Sequence, residues 1–143
     1  MAITQGMATS FKVQLLNGEQ NFSADTFKIA LYTSSATLGE DTTAYSATNE
    51  CPSTGNYTAG GNTLTVSVTP TSTGNVAYLS FANTSWSNAT ITANGALIYN
   101  STNANAAVAV LAFGGDKTST DGTFAVNFPT ADASSAIIRL TAS

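Results

Sequence analysis

Phe27-Lys28-Ile29-Ala30-Leu31-Tyr32 alternates strictly, with Phe27, Ile29 and Leu31 on one side of an extended chain and Lys28, Ala30 and Tyr32 on the other. A period of two over six residues predicts a half-buried strand and makes the fold class β. The same signature recurs further along. Leu64, Val66 and Val68 alternate with Thr65 and Ser67, and Phe124, Val126 and Phe128 alternate with Ala125 and Asn127, so each of these strands is expected to have one wet face. Ala107-Val108-Ala109-Val110-Leu111-Ala112-Phe113 is apolar on both faces, and Val76 to Phe81 nearly so. Both read as strands covered on both sides, in the middle of a sandwich or at a subunit contact.

Turn chemistry separates the runs. Gly60-Gly61-Asn62, Thr73-Gly74-Asn75, Asn94-Gly95, Gly114-Gly115-Asp116 and Asp121-Gly122 supply residues that tolerate positive φ or form Asx turns. The sharpest signal is Asn94-Gly95, which predicts a two-residue hairpin loop joining Ala89–Ala93 to Ala96–Tyr99. About eight short strands at this spacing point to an all-β chain, an antiparallel β-sandwich or jelly-roll-like barrel over 25–143 within a single domain of 1–143. Residues 1–20 form an N-terminal helix or arm. Met7, Phe11 and Leu15 recur at helical spacing, with Thr9 or Ser10 as cap and Asn17-Gly18 as stop, which predicts a short amphipathic helix over 8–17. Thr9, Ser10, Phe11 and Val13 are weak helix formers, so an extended arm is the alternative. The stretch from Ser34 to Gly61 is long and poor in pattern, with one strand expected within Thr43–Thr48. Loops of such length are usually functional or ordered by a partner.

Composition narrows the function. Only 8% of the 143 residues are charged, against about 25% in an average soluble protein. Thr, Ser and Asn account for 53 positions and take over the wet faces. Lys12, Lys28, Lys117 and Arg139 are scattered, which argues against nucleic-acid binding, because counterion release needs clustered cations. There is no histidine, so the commonest general base and transition-metal ligand are missing, and no serine has a histidine to activate it. With Cys51 as the single cysteine, neither an intrachain disulfide nor a multi-cysteine zinc site can form. No leader pattern occurs at Met1–Met7 and no apolar run approaches 18 residues, so neither export nor a membrane partner is expected.

Few residues are left to carry chemistry. Asp116 and Asp121 flank a glycine-rich turn and are weak Ca²⁺ candidates, although the spacing of a dedicated calcium loop is absent. The expected reading is solvated turn residues, with no catalytic residues, no cofactor and no metal. Trp86, in Thr84-Ser85-Trp86-Ser87-Asn88, is expected in the core between sheets; exposed, it would offer a stacking platform for a sugar. Five N-x-[ST] triplets, beginning at Asn21, Asn56, Asn83, Asn88 and Asn100, are close to the number chance supplies.

Four segments then carry a likeness. Asp25-Thr26-Phe27-Lys28-Ile29-Ala30-Leu31-Tyr32-Thr33-Ser34-Ser35-Ala36-Thr37-Leu38-Gly39, Tyr57-Thr58-Ala59-Gly60-Gly61-Asn62-Thr63-Leu64, Gly95-Ala96-Leu97-Ile98-Tyr99-Asn100 and Ala109-Val110-Leu111-Ala112-Phe113-Gly114-Gly115-Asp116-Lys117 resemble a family of small structural proteins of tailed bacteriophages. The resemblance spans from Phe11 to Ile138 and implies no catalytic residues. It implies a virion component, assembled in the host bacterial cytoplasm, placed either on the head as a cement or decoration protein or in the tail. The expectation is a decoration protein bound across major capsid protein subunits as a homo-oligomer, a trimer at lattice three-folds. Phe11, Leu15, Leu16, Tyr45 and Tyr57, in the N-terminal arm and the Ser34–Gly61 loop, are its expected contact residues. The alternatives are a tail-tube, baseplate or fibre-associated module, or a carbohydrate-binding module using Trp86.

Overall fold

The structure, a computed structural model, describes residues 2–141. In chain order its elements are β1 (Gly6–Met7), α1 (Thr9–Leu16), β2 (Phe27–Tyr32), β3 (Asn62–Leu64), β4 (Val66–Thr73), β5 (Val76–Phe81), β6 (Thr84–Asn100), β7 (Ala106–Val126) and β8 (Ile138–Thr141). They form an antiparallel sandwich: a larger sheet in the order β1-β7-β6-β2-β3 and a smaller one in the order β4-β5-β8. One core cluster draws on both sheets and on α1.

Around β2 and the second half of β6 the larger sheet is buried on both faces. On one side Phe27 of β2 stacks on Phe22 at 4.4 Å and packs with Phe81 of β5, while Phe22 meets Phe11 of α1 edge-on at 6.0 Å. On the other side Tyr99 of β6 stacks on Tyr45 of the long loop, their ring centroids 4.7 Å apart. The wet face expected for β2 is therefore absent: Ala30 and Tyr32 are buried and Lys28 is half-buried, because the Ser34–Gly61 segment folds back over that side. Alternation reads a strand's pleat correctly but does not see a covering loop. In β7, Ala107–Val110 is buried throughout, but Leu111, Ala112 and Phe113 of the same apolar run are only half-buried, and in β5 Ala77 is exposed, so neither apolar run is covered on both sides over its full length.

The Asn94-Gly95 hairpin does not form. Both residues lie inside β6, which continues unbroken for 17 residues, and the actual reversal falls at Ser101–Asn105, where Ala104 and Asn105 take φ of 53° and 58°. Gly95 is glycine for another reason. A Cβ there would lie 2.5 Å from the Leu111 carbonyl oxygen and 2.7 Å from Ile3 Cγ2, so close approach of neighbouring chain, not turn formation, excludes a side chain. Likewise Gly114-Gly115-Asp116 and Asp121-Gly122 interrupt no strand. They are irregularities of β7: Phe113–Asp116 loops out opposite the single residue Asn94, with Gly114 and Gly115 at φ of 75° and 148°.

At the N-terminus α1 covers Thr9–Leu16, but the expected side-chain cap is not made. Ala8 occupies the N-cap with no side-chain hydrogen bond; instead the Ala8 and Thr9 amides donate to the carbonyls of Val108 and Glu40. Tertiary pairing replaces local capping. Within Thr43–Thr48 the strand reduces to a single bridge between Ala44 and Ala106.

Candidate functional site

The N-terminal arm and the long loop, distant in sequence, lie side by side. Ile3 forms a parallel bridge with Leu38, the Thr4 amide donates to the Leu38 carbonyl (2.9 Å), and the Leu38 amide donates to the Ala2 carbonyl (3.1 Å). Residues 6–7 pair with Val110 and Ala109, and Ala44 bridges Ala106, so arm and loop together cover the outer edge of the first half of β7. An unpaired edge is a template for indiscriminate strand addition, and here the chain's own segments occupy it.

What fixes the loop is a carboxylate that sequence reading missed. Glu50 accepts from the Tyr45 hydroxyl (2.5 Å), the Tyr57 hydroxyl (2.8 Å) and the Gly60 amide (2.7 Å). Tyr57 in turn accepts from the Leu31 amide (2.9 Å), which ties the clasp to the centre of β2. Tyr99 donates to the Gly60 carbonyl and Tyr32 to the Ser46 carbonyl, each at 2.6 Å. Four of the five tyrosines thus serve this segment. Burial, followed by the negative charge of Glu50, raises the hydroxyls of Tyr32, Tyr45 and Tyr57 far above their ordinary value and pushes Tyr99 up to about 12. The available signal was a lone acidic residue flanked by Tyr45 and Tyr57 within a hydroxyl-rich loop. With its oxygens engaged by three donors, Glu50 acts as a structural acceptor.

The expected contact residues separate into two groups. Phe11 and Tyr57 are corrected: Phe11 is fully buried against Phe22, and Tyr57 is buried edge-on to Trp86 at 5.4 Å, so neither can meet a partner. Leu16 is 89% exposed and Val13, a turn earlier on α1, is 52% exposed. Leu15 is half-buried and lines an apolar groove of about 340 Å³ between α1 and the smaller sheet, together with Phe22, Leu79, Ile138 and Leu140. Tyr45 is half-buried, with its ring on Tyr99 and its hydroxyl on Glu50.

Trp86 is 1% exposed, wedged among Tyr57 and Phe124, and presents no face on which a sugar can stack. Asp116 accepts from the Asn94 side chain (3.0 Å), Asp121 adopts φ of 44° with its amide donating to Thr90 Oγ1, and among the described residues neither joins a cluster of three metal-ligating side chains. The Cys51 thiol donates to the Thr92 carbonyl; burial, then Glu50 and Asp116, push it up to about 12, which leaves it unreactive at neutral pH. No helix among the described residues is long and apolar enough to cross a membrane. Comparison of the chain with protein-family models, with curated proteins and with solved structures gave no match.

Proposed function

We propose that this chain is a non-enzymatic structural protein of a tailed-phage particle, a decoration protein that binds the outer face of the head across major capsid protein subunits. The observation that carries this reading beyond the family resemblance is the pairing of Ile3 with Leu38. It joins the two segments expected to make contacts, the N-terminal arm and the long loop, and α1, which follows the arm in the chain, leaves Leu16 and Val13 exposed. Short neutral side chains suit such a surface, because Ser, Thr, Ala and Asn lose little entropy when immobilised, and contacts without ion pairs depend weakly on salt. Binding the closed shell and not its dissociated subunits stabilises the shell by mass action. A trimer fits the lattice three-folds. Co-sedimentation of the purified protein with expanded heads and with isolated tails tests the proposal: binding to heads supports it, and binding to tails alone replaces it with a tail component. The carbohydrate-binding reading loses its support with the burial of Trp86.

A further inference from the structure

The chain contains two Asn-Gly pairs, Asn17-Gly18 and Asn94-Gly95, and the fold places them in opposite settings. We propose that Asn17 is a self-modification site, at which the backbone nitrogen of Gly18 displaces the side-chain nitrogen of Asn17, while the sheet protects Asn94 from the same reaction. The deprotonated Gly18 nitrogen attacks Asn17 Cγ; a C–N bond forms, the bond from Cγ to the amide nitrogen breaks, and ammonia leaves. Water then opens the cyclic imide at either carbonyl to give aspartate or isoaspartate. No oxidant or reductant is needed.

Ring closure requires the peptide after the asparagine to swing toward that residue's own side chain. At Asn17 the swing is local. Asn17 is the exposed C-cap of α1, with φ −85° and ψ −3°, and apart from its chain neighbours nothing lies within 4 Å of the position a Cβ on Gly18 would take. The bonds that must open are those of a fraying helix end, Gly18 N–H to the Leu15 carbonyl (3.1 Å) and Glu19 N–H to the Gln14 carbonyl (2.8 Å). At Asn94 the same swing dismantles the sheet. Gly95 is buried and paired on both sides, with Tyr32 of β2 and Ala112 of β7, and the Asn94 side chain is held by Asp116. Reaction there must await local opening of the sheet on both sides of Gly95.

The product bears on the N-terminal surface. A new carboxylate at residue 17 sits at the negative end of the α1 dipole, directly after Leu16, and the isoaspartyl form adds a methylene to the main chain. The test is incubation of the folded full-length protein in mildly alkaline buffer, with timed peptide mapping for amide-to-acid conversion and isoaspartyl methyltransferase labelling. Asn17 is expected to convert at least roughly tenfold faster than Asn94 in the folded protein, and the two at similar rates in urea. Gly18→Ala is expected to slow conversion at residue 17 and leave residue 94 unchanged. Equal rates at the two sites in the folded protein, or faster conversion at Asn94, would overturn the proposal.

Discussion

The rings of Phe113 and Phe124 lie 6.2 Å apart although both belong to β7. An unbroken extended run between them would span roughly 36 Å, so the β6–β7 ribbon must bend sharply on itself. The bend coincides with the Phe113–Asp116 excursion opposite Asn94 and with two smaller irregularities, between Trp86 and Ala89 and between Ala89 and Ile91. It brings Trp86 and Phe124 into the core, with Tyr57 of the Cys51–Gly60 strap packed on Trp86.

If Gly95 is demanded by close approach, Gly95→Ala should destabilise the protein by about 2–3 kcal/mol through overpacking against Leu111 and Ile3. Gly114→Ala, with open space around it and φ of 75°, should cost only about 1 kcal/mol of backbone strain. Urea denaturation of both variants checks the order; equal losses contradict it.

Glu50→Ala removes the shared acceptor of Tyr45, Tyr57 and Gly60 and should cost about 2–4 kcal/mol. Because Tyr57 also anchors the Leu31 amide, hydrogen exchange should accelerate across the 42–61 loop and at Leu31 before it does in β7. Unchanged exchange at those amides would show that Glu50 is not the clasp.

Alkaline pH should weaken the fold in a defined sense. The Cys51 thiol and the hydroxyls of Tyr32, Tyr45, Tyr57 and Tyr99 hold their protons more tightly folded than unfolded. The stability they contribute is therefore complete below the unfolded values of 9.0 and 10.0 and is lost as pH rises through them toward the folded values. Denaturation midpoints should fall from pH 9 upward, and Cys51 should resist thiol reagents at pH 8 until urea is added. Rapid labelling of the native protein would contradict the buried thiol.

Leu16→Ser should change stability by less than about 0.5 kcal/mol, since the side chain is 89% exposed. Phe11→Ala should cost about 3–5 kcal/mol. On the proposed function Leu16→Ser nonetheless weakens head binding roughly tenfold, the loss of one apolar anchor. Thermal melting and co-sedimentation separate the two effects.

Much of the architecture was legible in local pattern. The alternation at 27–32 became β2 and the doubly apolar run at 107–113 lies within β7, whereas the run at 64–68 divides at Thr65 between β3 and β4, in different sheets, and the run at 124–128 leaves the strand after Val126. Four things were not legible, three of them because they depend on contacts distant in sequence. Asn94-Gly95 has hairpin chemistry, but the demands of Leu111 and Ile3 override it. The dry second face of β2 depends on a loop whose sequence has no period. Phe11 and Tyr57 look available as aromatic anchors in segments of weak pattern, yet the core claims both, and the residue that organises the loop, Glu50, carries no motif.

A reconstruction of the intact phage particle at a resolution that traces strands decides whether this chain decorates the head. Density for this sandwich is expected on the outer surface of the head, with α1 and the paired Ile3–Leu38 segment turned toward the major capsid protein. Density for the chain in the tail, or none in the particle, would contradict it.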